Sequence, residues 1–138
     1  MQSHVSVDAM ARDYAERAVQ TAREFSAQLD YSEQSVLELE TILTRLAAGP
    51  QSDDVAEICK IWGSYLGEVV RRRFGGDWTI ETYPGKQFAT LTLNVGGNKL
   101  FPTMKVHRRL TQGPDDDVWL FYKMVKARLE AVPGGKIQ

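Results

Sequence analysis

The second half of the chain carries a run of cationic side chains whose type and spacing could bind an anion. Residues 71–113 hold eight basic and two acidic side chains, a net charge of +6, in a protein whose net charge is −1. The candidate binding residues are Arg71, Arg72, Arg73, Lys99, Lys105, Arg108 and Arg109. On one face they would form a surface for an anionic ligand or a nucleic acid, although a pI of about 6.1 argues against general nucleic-acid binding.

The three consecutive arginines also have a structural interpretation, which we favour. They fall at the predicted end of a helix, where each cation contributes about 0.3–1 kcal/mol by opposing the helix dipole. Glu68 and Arg72 stand four residues apart in the favourable order for an ion pair. Arg73 is in line with the apolar face of that helix, so it either extends past the helix end or makes a buried ion pair. Asp77 and Glu81 are its nearest partners in sequence.

Catalysis would need a nucleophile or a base, and the sequence offers few candidates. His107 is the histidine best placed to act as a base, but no Gly-x-Ser-x-Gly motif is present. A more specific hypothesis uses Glu68 as a general base beside Tyr65 or His107, on the condition that burial raises the pKa of the glutamate. The sequence therefore favours a non-enzymatic protein, and an enzyme that uses Glu68 remains open.

Other residues with reactive or metal-binding side chains have simpler interpretations. Cys59 falls beside the apolar positions of a predicted helix, which predicts a buried structural thiol. Three consecutive aspartates at 115–117 are interpreted as helix caps, because neighbours at a helix start cannot all face one ion. A single cysteine with two distant histidines, His4 and His107, gives too few ligands for a Cys/His zinc site. We expect neither a metal nor a cofactor.

The composition is that of one globular domain. The chain has 138 residues, of which 43% are hydrophobic and 25% charged, and this mix predicts a single domain over residues 1–138. One cysteine excludes an intramolecular disulfide, the start lacks a signal-peptide pattern, and no apolar run approaches the ~20 residues of a membrane helix. We therefore expect a cytoplasmic protein with no membrane association, and a flexible tail at 132–138.

Apolar spacing predicts three helices in the N-terminal half. The first covers about residues 7–28, with an alanine-rich face that a neighbouring helix could approach closely. The second begins at a Ser32 cap and ends at the Gly-Pro pair 49–50. The third covers about residues 52–74, and apolar positions occupy about half of its circumference, which predicts the central helix of the domain. Two glycines one turn apart within it, Gly63 and Gly67, indicate a closely packed neighbour.

A short sheet and two helices are predicted for the C-terminal half. Alternating apolar and polar residues indicate strands at 78–83, 88–95 and 98–101, joined by glycine-containing turns into an antiparallel meander. A helix over 102–111 begins at Pro102, and a last helix starts with the three aspartates. The predicted fold class is α+β, with three N-terminal helices, a three-stranded antiparallel meander and two C-terminal helices.

Two stretches of the chain carry recognisable motifs. Residues 62–78 contain G-x-Y-L-G-E and G-G-x-W, and residues 101–113 contain F-P-x-x-K-V-x-x-R-L. With residues 29–32, they resemble a group of small bacterial domains of unknown function over most of residues 29–125. The matching residues are Gly63, Tyr65, Gly67, Glu68, Gly76, Trp78, Pro102, Lys105 and Arg109. The resemblance implies the helix–sheet–helix order and brings no reaction or cofactor; several such domains look like toxin-immunity or accessory proteins.

Three functional hypotheses follow from the sequence. Residues 1–74 carry 8 basic and 12 acidic side chains, or −4, and residues 75–138 carry 9 and 6, or +3. Because complementary charge speeds the encounter of protein partners, we favour a protein-binding module, in the manner of a toxin-immunity protein. The alternative is a binder of an anionic ligand or nucleic acid through the basic stretch 71–113. The third is an enzyme that uses Glu68.

Overall fold

The computed structural model describes residues 6–50 and 54–131, and it confirms the predicted α+β element order. The helices are α1 (Val7–Ala22), α2 (Ser35–Ala48), α3 (Val55–Phe74), α4 (Pro102–Gln112) and α5 (Val118–Glu130), and the strands are β1 (Asp77–Thr82), β2 (Ala89–Val95) and β3 (Asn98–Leu100). The predicted tail at 132–138 lies outside the described residues. Within the described residues, no helix has the length and apolar character needed to cross a membrane.

Helix α1 packs along α3 through small side chains. Its buried positions are all alanines, namely Ala11, Ala15, Ala18 and Ala22, which confirms the predicted close approach. The helix ends well before residue 28. Arg23–Phe25 tightens into a 3-10 turn and Ser26 takes a left-handed conformation with φ 58°. The amide of Ala27 then donates to the carbonyl of Ala22, a Schellman closure that the periodicity of the sequence did not reveal.

Helix α2 begins three residues after its predicted cap. Residues 32–34 form a turn, and the α-helix starts at Ser35. The hydroxyl of Ser32 still accepts a hydrogen bond from the Ser35 amide at 3.2 Å, so it satisfies a donor at the helix entry as a cap would. Tyr31, just before this turn, has a φ of 67°, which is unusual for a non-glycine residue.

Helix α3 is the central helix, as predicted. Every residue from Trp62 to Val70 is buried. A Cβ on Gly63 would lie 2.5 Å from the Cα of Thr103, and a Cβ on Gly67 would overlap the ring of Trp78. The two glycines therefore let the start of α4 and the indole of β1 lie against the α3 backbone. Alanine would favour the helix by about 1 kcal/mol at each position, but it does not fit.

The three strands form an antiparallel sheet in the order β1-β2-β3. Trp78 lies opposite Leu93, and Leu93 lies opposite Leu100, so these residues share the apolar face. The β2–β3 turn has two consecutive positive φ angles, 57° at Gly96 and 78° at Gly97, as a type I′ hairpin requires. Thr92, which alternates with the apolar residues of β2, is nevertheless fully buried, and its hydroxyl is satisfied by the carbonyl of Thr90 at 3.0 Å.

The last helix starts later than the three aspartates predict. Pro114–Asp116 forms a 3-10 turn, and α5 begins at Val118. The carboxylate of Asp117 accepts hydrogen bonds from the Trp119 amide at 2.7 Å and from the Leu120 amide at 3.0 Å. Capping is therefore the right interpretation for Asp117, whereas Asp116 has a different role, described below.

Candidate functional site

Glu68 lies at the centre of the motif residues and is fully buried. It projects from α3, where its carboxylate accepts the Nε of Arg71 at 2.6 Å and the Nε of Arg72 at 3.1 Å. The indole Nε1 of Trp78, at the start of β1, donates to the same carboxylate at 2.8 Å. The predicted Glu68–Arg72 pair is thus present, and it is one part of a cluster that ties the end of α3 to the sheet.

The protonation of Glu68 differs from what a general base would need. Burial by itself would raise the pKa of Glu68, but the hydrogen bonds from Arg71, Trp78 and Arg72 outweigh it and hold the pKa below its ordinary value of 4.5. A carboxylate stabilised in this way is a weak base at neutral pH. The condition on which the enzymatic hypothesis depends, a pKa raised by burial, is not met.

Tyr65 is buried one turn before Glu68 and faces the entry to α2. Its hydroxyl lies 2.6 Å from the hydroxyl of Ser35 and accepts the amide of Tyr31 at 2.8 Å. Burial raises the pKa of Tyr65. Tyr65 therefore holds the left-handed residue at position 31 in place, and the guanidinium of Arg72 covers the ring of Tyr31 at 3.5 Å from its centroid. His107 and Tyr65 are not joined to Glu68 by a hydrogen bond in the described residues.

The remaining motif residues fix the meeting of α3, α4 and the sheet. Gly76 has a φ of 123°, and a Cβ there would lie 2.7 Å from the carbonyl oxygen of Asn94. Pro102 is buried at the first position of α4, and its Cγ lies 3.0 Å from the position that a Cβ on Gly67 would occupy. These residues are close-packing positions, consistent with a structural role.

Arg109 makes the most buried ion pair of the basic stretch. Its side chain is 4% exposed, its Nε donates to the carboxylate of Glu40 at 2.8 Å, and a terminal nitrogen donates to the hydroxyl of Thr44 at 2.8 Å. The other oxygen of Glu40 accepts the amide of Val118, the first residue of α5, at 3.1 Å. One carboxylate of α2 thereby joins α4 and α5. Glu40 gave no signal in the sequence analysis.

Lys105 and Arg108 meet at Asp116. The Nζ of Lys105 and the Nε of Arg108 lie 3.1 Å and 3.3 Å from one oxygen of that carboxylate. The hydrogen bond from Lys105 lowers the pKa of Asp116, and the pairing with Arg108 adds to it. Arg108 also donates to the hydroxyl of Tyr83 at 2.6 Å, which links α4 to the end of β1.

Arg73 pairs with neither of its predicted partners. Asp77 and Glu81 are close in sequence, but the Nε of Arg73 lies 3.2 Å from Glu33, and a terminal nitrogen lies 3.7 Å from Glu130. The end of α3 passes between the entry to α2 and the end of α5, so carboxylates distant in sequence come closer than those of the next strand.

Lys99 is the one candidate cation on the polar face of the sheet. Its Nζ pairs with the carboxylate of Glu81 at 2.6 Å and donates to Asn94 at 2.9 Å. All seven predicted binding residues therefore face a carboxylate, and they do so in separate groups. The structure does not bring them together into one basic surface.

A groove beside the β1–β2 hairpin contains cations of a different kind. Two adjoining cavities of about 410 and 300 Å³ lie between the hairpin, α1, α3 and α4, and they share Lys60, Ala89, Thr90 and Thr103. We call them the hairpin groove; its characteristic residues are Lys60, Ile80, Lys86, Phe88, Met104 and His107. None of the described residues lining it is acidic. Ile80 is 50% exposed and Phe88 44% exposed.

The sequence does not reveal this groove, and of its residues only His107 stands out as a candidate base. Lys86 falls within the basic stretch, but Lys60 is eleven residues before the next cation of α3. Ile80 and Phe88 have the pattern of ordinary strand residues. The only available signal was Phe88, a large aromatic side chain directly after a turn. Cys59 lies in the groove floor, where burial raises the pKa of its thiol to about 11, in agreement with the predicted structural cysteine.

The described residues contain no cluster of three or more His, Cys, Asp or Glu side chains able to hold a metal ion. Compared with protein-family models, with curated proteins and with solved structures, the chain matches none.

Proposed function

We propose that this protein is a non-enzymatic module that binds another protein. The observation that carries the proposal is that the polar groups of the motif residues bind other groups of the same fold. The carboxylate of Glu68 is taken by two guanidinium groups and an indole, Tyr65 holds the entry to α2, and Arg109 joins three helices through Glu40. Side chains committed in this way are poorly suited to transform a substrate.

Exposed apolar side chains support binding to a protein. Ile80 and Phe88 stand beside the hairpin groove, and on α5 Leu120 and Met124 are 51% and 73% exposed. Large apolar side chains grouped at a surface are typical of interaction sites, because covering them removes apolar area from water. The paired, buried network of the domain interior supplies a rigid scaffold for such a surface.

A toxin-immunity or accessory role and a cytoplasmic location are parts of the same proposal. A toxin-immunity or accessory protein is what the resemblance of residues 29–125 to small bacterial domains suggests. A single, buried thiol suits a reducing cytoplasm.

Binding of an anionic ligand or nucleic acid through residues 71–113 is the second candidate. Each of the seven candidate cations would have to break an ion pair with a carboxylate before it could bind a phosphate. The cost of breaking these pairs disfavours this function. A labelled oligonucleotide at about 50 mM salt tests it, since phosphate contacts are strongest at low salt.

Affinity capture followed by calorimetry tests the protein-binding function. The intact protein is immobilised and exposed to a lysate of its source organism at low salt, and the captured protein is then purified and titrated. We expect one protein that binds with a defined stoichiometry. Glu68→Gln should keep that binding if it remains folded. Failure to retain any protein would contradict the proposal. So would a catalytic activity of the parent protein that disappears in Glu68→Gln.

A further inference from the structure

We propose that the hairpin groove binds an acidic, amphipathic segment of a partner protein, an inference that rests on the protein-binding function proposed above. The groove has the two properties that such a segment recognises: apolar cavities next to exposed apolar side chains, and cations without ion-pair partners among the described residues.

The apolar side chains of the groove are exposed but held in place. The ring of Phe88 stacks on Tyr83, with centroids 5.8 Å apart and planes 18° apart. Tyr83 in turn contacts Phe101 edge-on at 5.1 Å and accepts a hydrogen bond from Arg108. A fixed aromatic ring loses little conformational freedom on binding, which is the property of an interface anchor. Ile80, opposite Leu91 in the sheet, borders the second cavity.

The cations of the groove are unlike those of the domain interior. Lys60, Lys86 and His107 have no ion-pair partner among the residues that the structure describes, and no described acidic side chain lines either cavity. Lys60 belongs to both cavities, so one cation lies between two apolar sites. Aspartate or glutamate in a bound segment would supply the missing charge, and its apolar side chains would enter the cavities on either side.

The floor of the groove favours a peptide over a nucleic acid. It is made of aliphatic and sulfur-containing side chains such as Met10, Leu91 and Met104. Leucine-like side chains fit this surface, whereas single-stranded nucleic acids are bound by successive aromatic rings, each stacked on a base. The aromatic rings among its described lining residues are Phe88, which is exposed, and Tyr14, which is half-buried with the guanidinium of Arg17 over its ring. They line different cavities and do not form a run of stacking platforms.

Selection from a displayed library of random 12-residue peptides tests the inference. The library is panned on the intact protein and depleted on Phe88→Ser. We expect enriched peptides that combine apolar residues with aspartate or glutamate. Their affinity should fall about tenfold or more in a Lys60→Glu, Lys86→Glu double variant, and it should weaken with added salt. Lys123→Glu, a single reversal at an exposed lysine on α5, is compared with Lys60→Glu alone as its matched control and should bind unchanged.

The outcomes separate this inference from the proposed function. Basic or neutral consensus peptides, or acidic peptides that bind the double variant equally well, would overturn it. So would an oligothymidylate that binds the groove more tightly than the selected peptides. Since Lys60 and Lys86 pair with no carboxylate in residues 6–50 and 54–131, the double variant should fold normally, and circular dichroism checks this. A captured protein that binds Phe88→Ser and the double variant unchanged refutes the groove and leaves the protein-binding function standing.

Discussion

The cations between the helices and the cations along the hairpin groove differ in what faces them. Arg109 is 4% exposed and meets a carboxylate and a hydroxyl, each at 2.8 Å. Lys60 and Lys86 are exposed and meet no carboxylate in the described part of the chain. The charges of the first region are paired inside the fold, whereas those of the second face solvent.

The basic stretch 71–113 is mostly paired within the molecule. Glu33, Glu40 and Glu68 pair with arginines at 71–73 and 109, and Glu81 and Asp116 pair with Lys99, Lys105 and Arg108. Seven of its eight cations therefore face a carboxylate of the same chain. A cation beside an exposed apolar ring says more about an external partner than a long basic run does.

Removing a cation from each region should give the largest difference. We expect Arg109→Met to lower the free energy of unfolding by about 3 kcal/mol or more, because it leaves Glu40 without its partner in a nearly buried site. Lys60→Met, the matched loss of a cation in the groove, should change it by no more than about 0.5 kcal/mol. Urea denaturation at pH 7 measures both, and equal effects would remove the distinction between the two regions.

The close packing of α4 on α3 can be tested next. Gly63→Ala places a methyl group 2.5 Å from the Thr103 backbone, and we expect a loss of about 2–3 kcal/mol despite the better helix propensity of alanine. Gly49→Ala is the control. Its Cβ would meet only carbonyl oxygens at 3.6 and 3.8 Å, so stability should stay within about 0.5 kcal/mol. A stable Gly63→Ala would show that α4 can shift.

Replacing the buried carboxylate should have a somewhat smaller effect. Glu68→Gln keeps an acceptor for the Trp78 indole but removes the charge that Arg71 and Arg72 face, and we expect a loss of about 1–2 kcal/mol. Glu38→Gln, at an exposed position of α2, serves as the control and should be neutral. If Glu68→Gln proves as stable as the parent protein, the cluster is not a stabilising element.

Acid should weaken the ion-paired interior through the same carboxylates. The pKa of Glu68 in the folded protein lies below its ordinary 4.5, as the hydrogen bonds from Arg71, Trp78 and Arg72 outweigh burial. A hydrogen bond from Tyr122 likewise lowers the pKa of Glu33. The stability contributed by a lowered pKa is present above 4.5 and is lost as the pH falls through the folded value. We expect denaturant midpoints to drop below pH 4.5, and to drop less steeply in Glu68→Gln.

The smallest effect on stability is expected at the groove. Phe88→Ser removes a ring that is 44% exposed, so unfolding free energy should fall by about 1 kcal/mol or less, while peptide binding is lost. Thermal unfolding and peptide titration on the same samples compare the two effects. A large loss of stability would place Phe88 with the structural residues.

Much of the fold could be predicted because it depends on local patterns. Apolar spacing identified four of the five helices, Pro102 identified the start of α4, and the turn glycines identified the hairpins. The predicted helix boundaries were wrong at the end of α1 and at the starts of α2 and α5. At these places a left-handed residue or a 3-10 turn lies next to the helix. Gly63 and Gly67 were correctly read as close-packing positions, but the sequence could not say that Thr103 and Trp78 fill the space beside them.

The sequence by itself determined which segments are helical, which are extended and which helix is central, since these follow from periodicity and burial along one chain. Apart from the Glu68–Arg72 pair within α3, only the tertiary structure decided which charges are paired. Arg73 finds Glu33 forty residues away, and Arg109 finds Glu40, because ion pairs depend on distance in space and on the desolvation of both groups. The same physics leaves Lys60 and Lys86, which lie near Phe88, without an ion pair in the described part of the chain, and no local pattern in the sequence could have marked them.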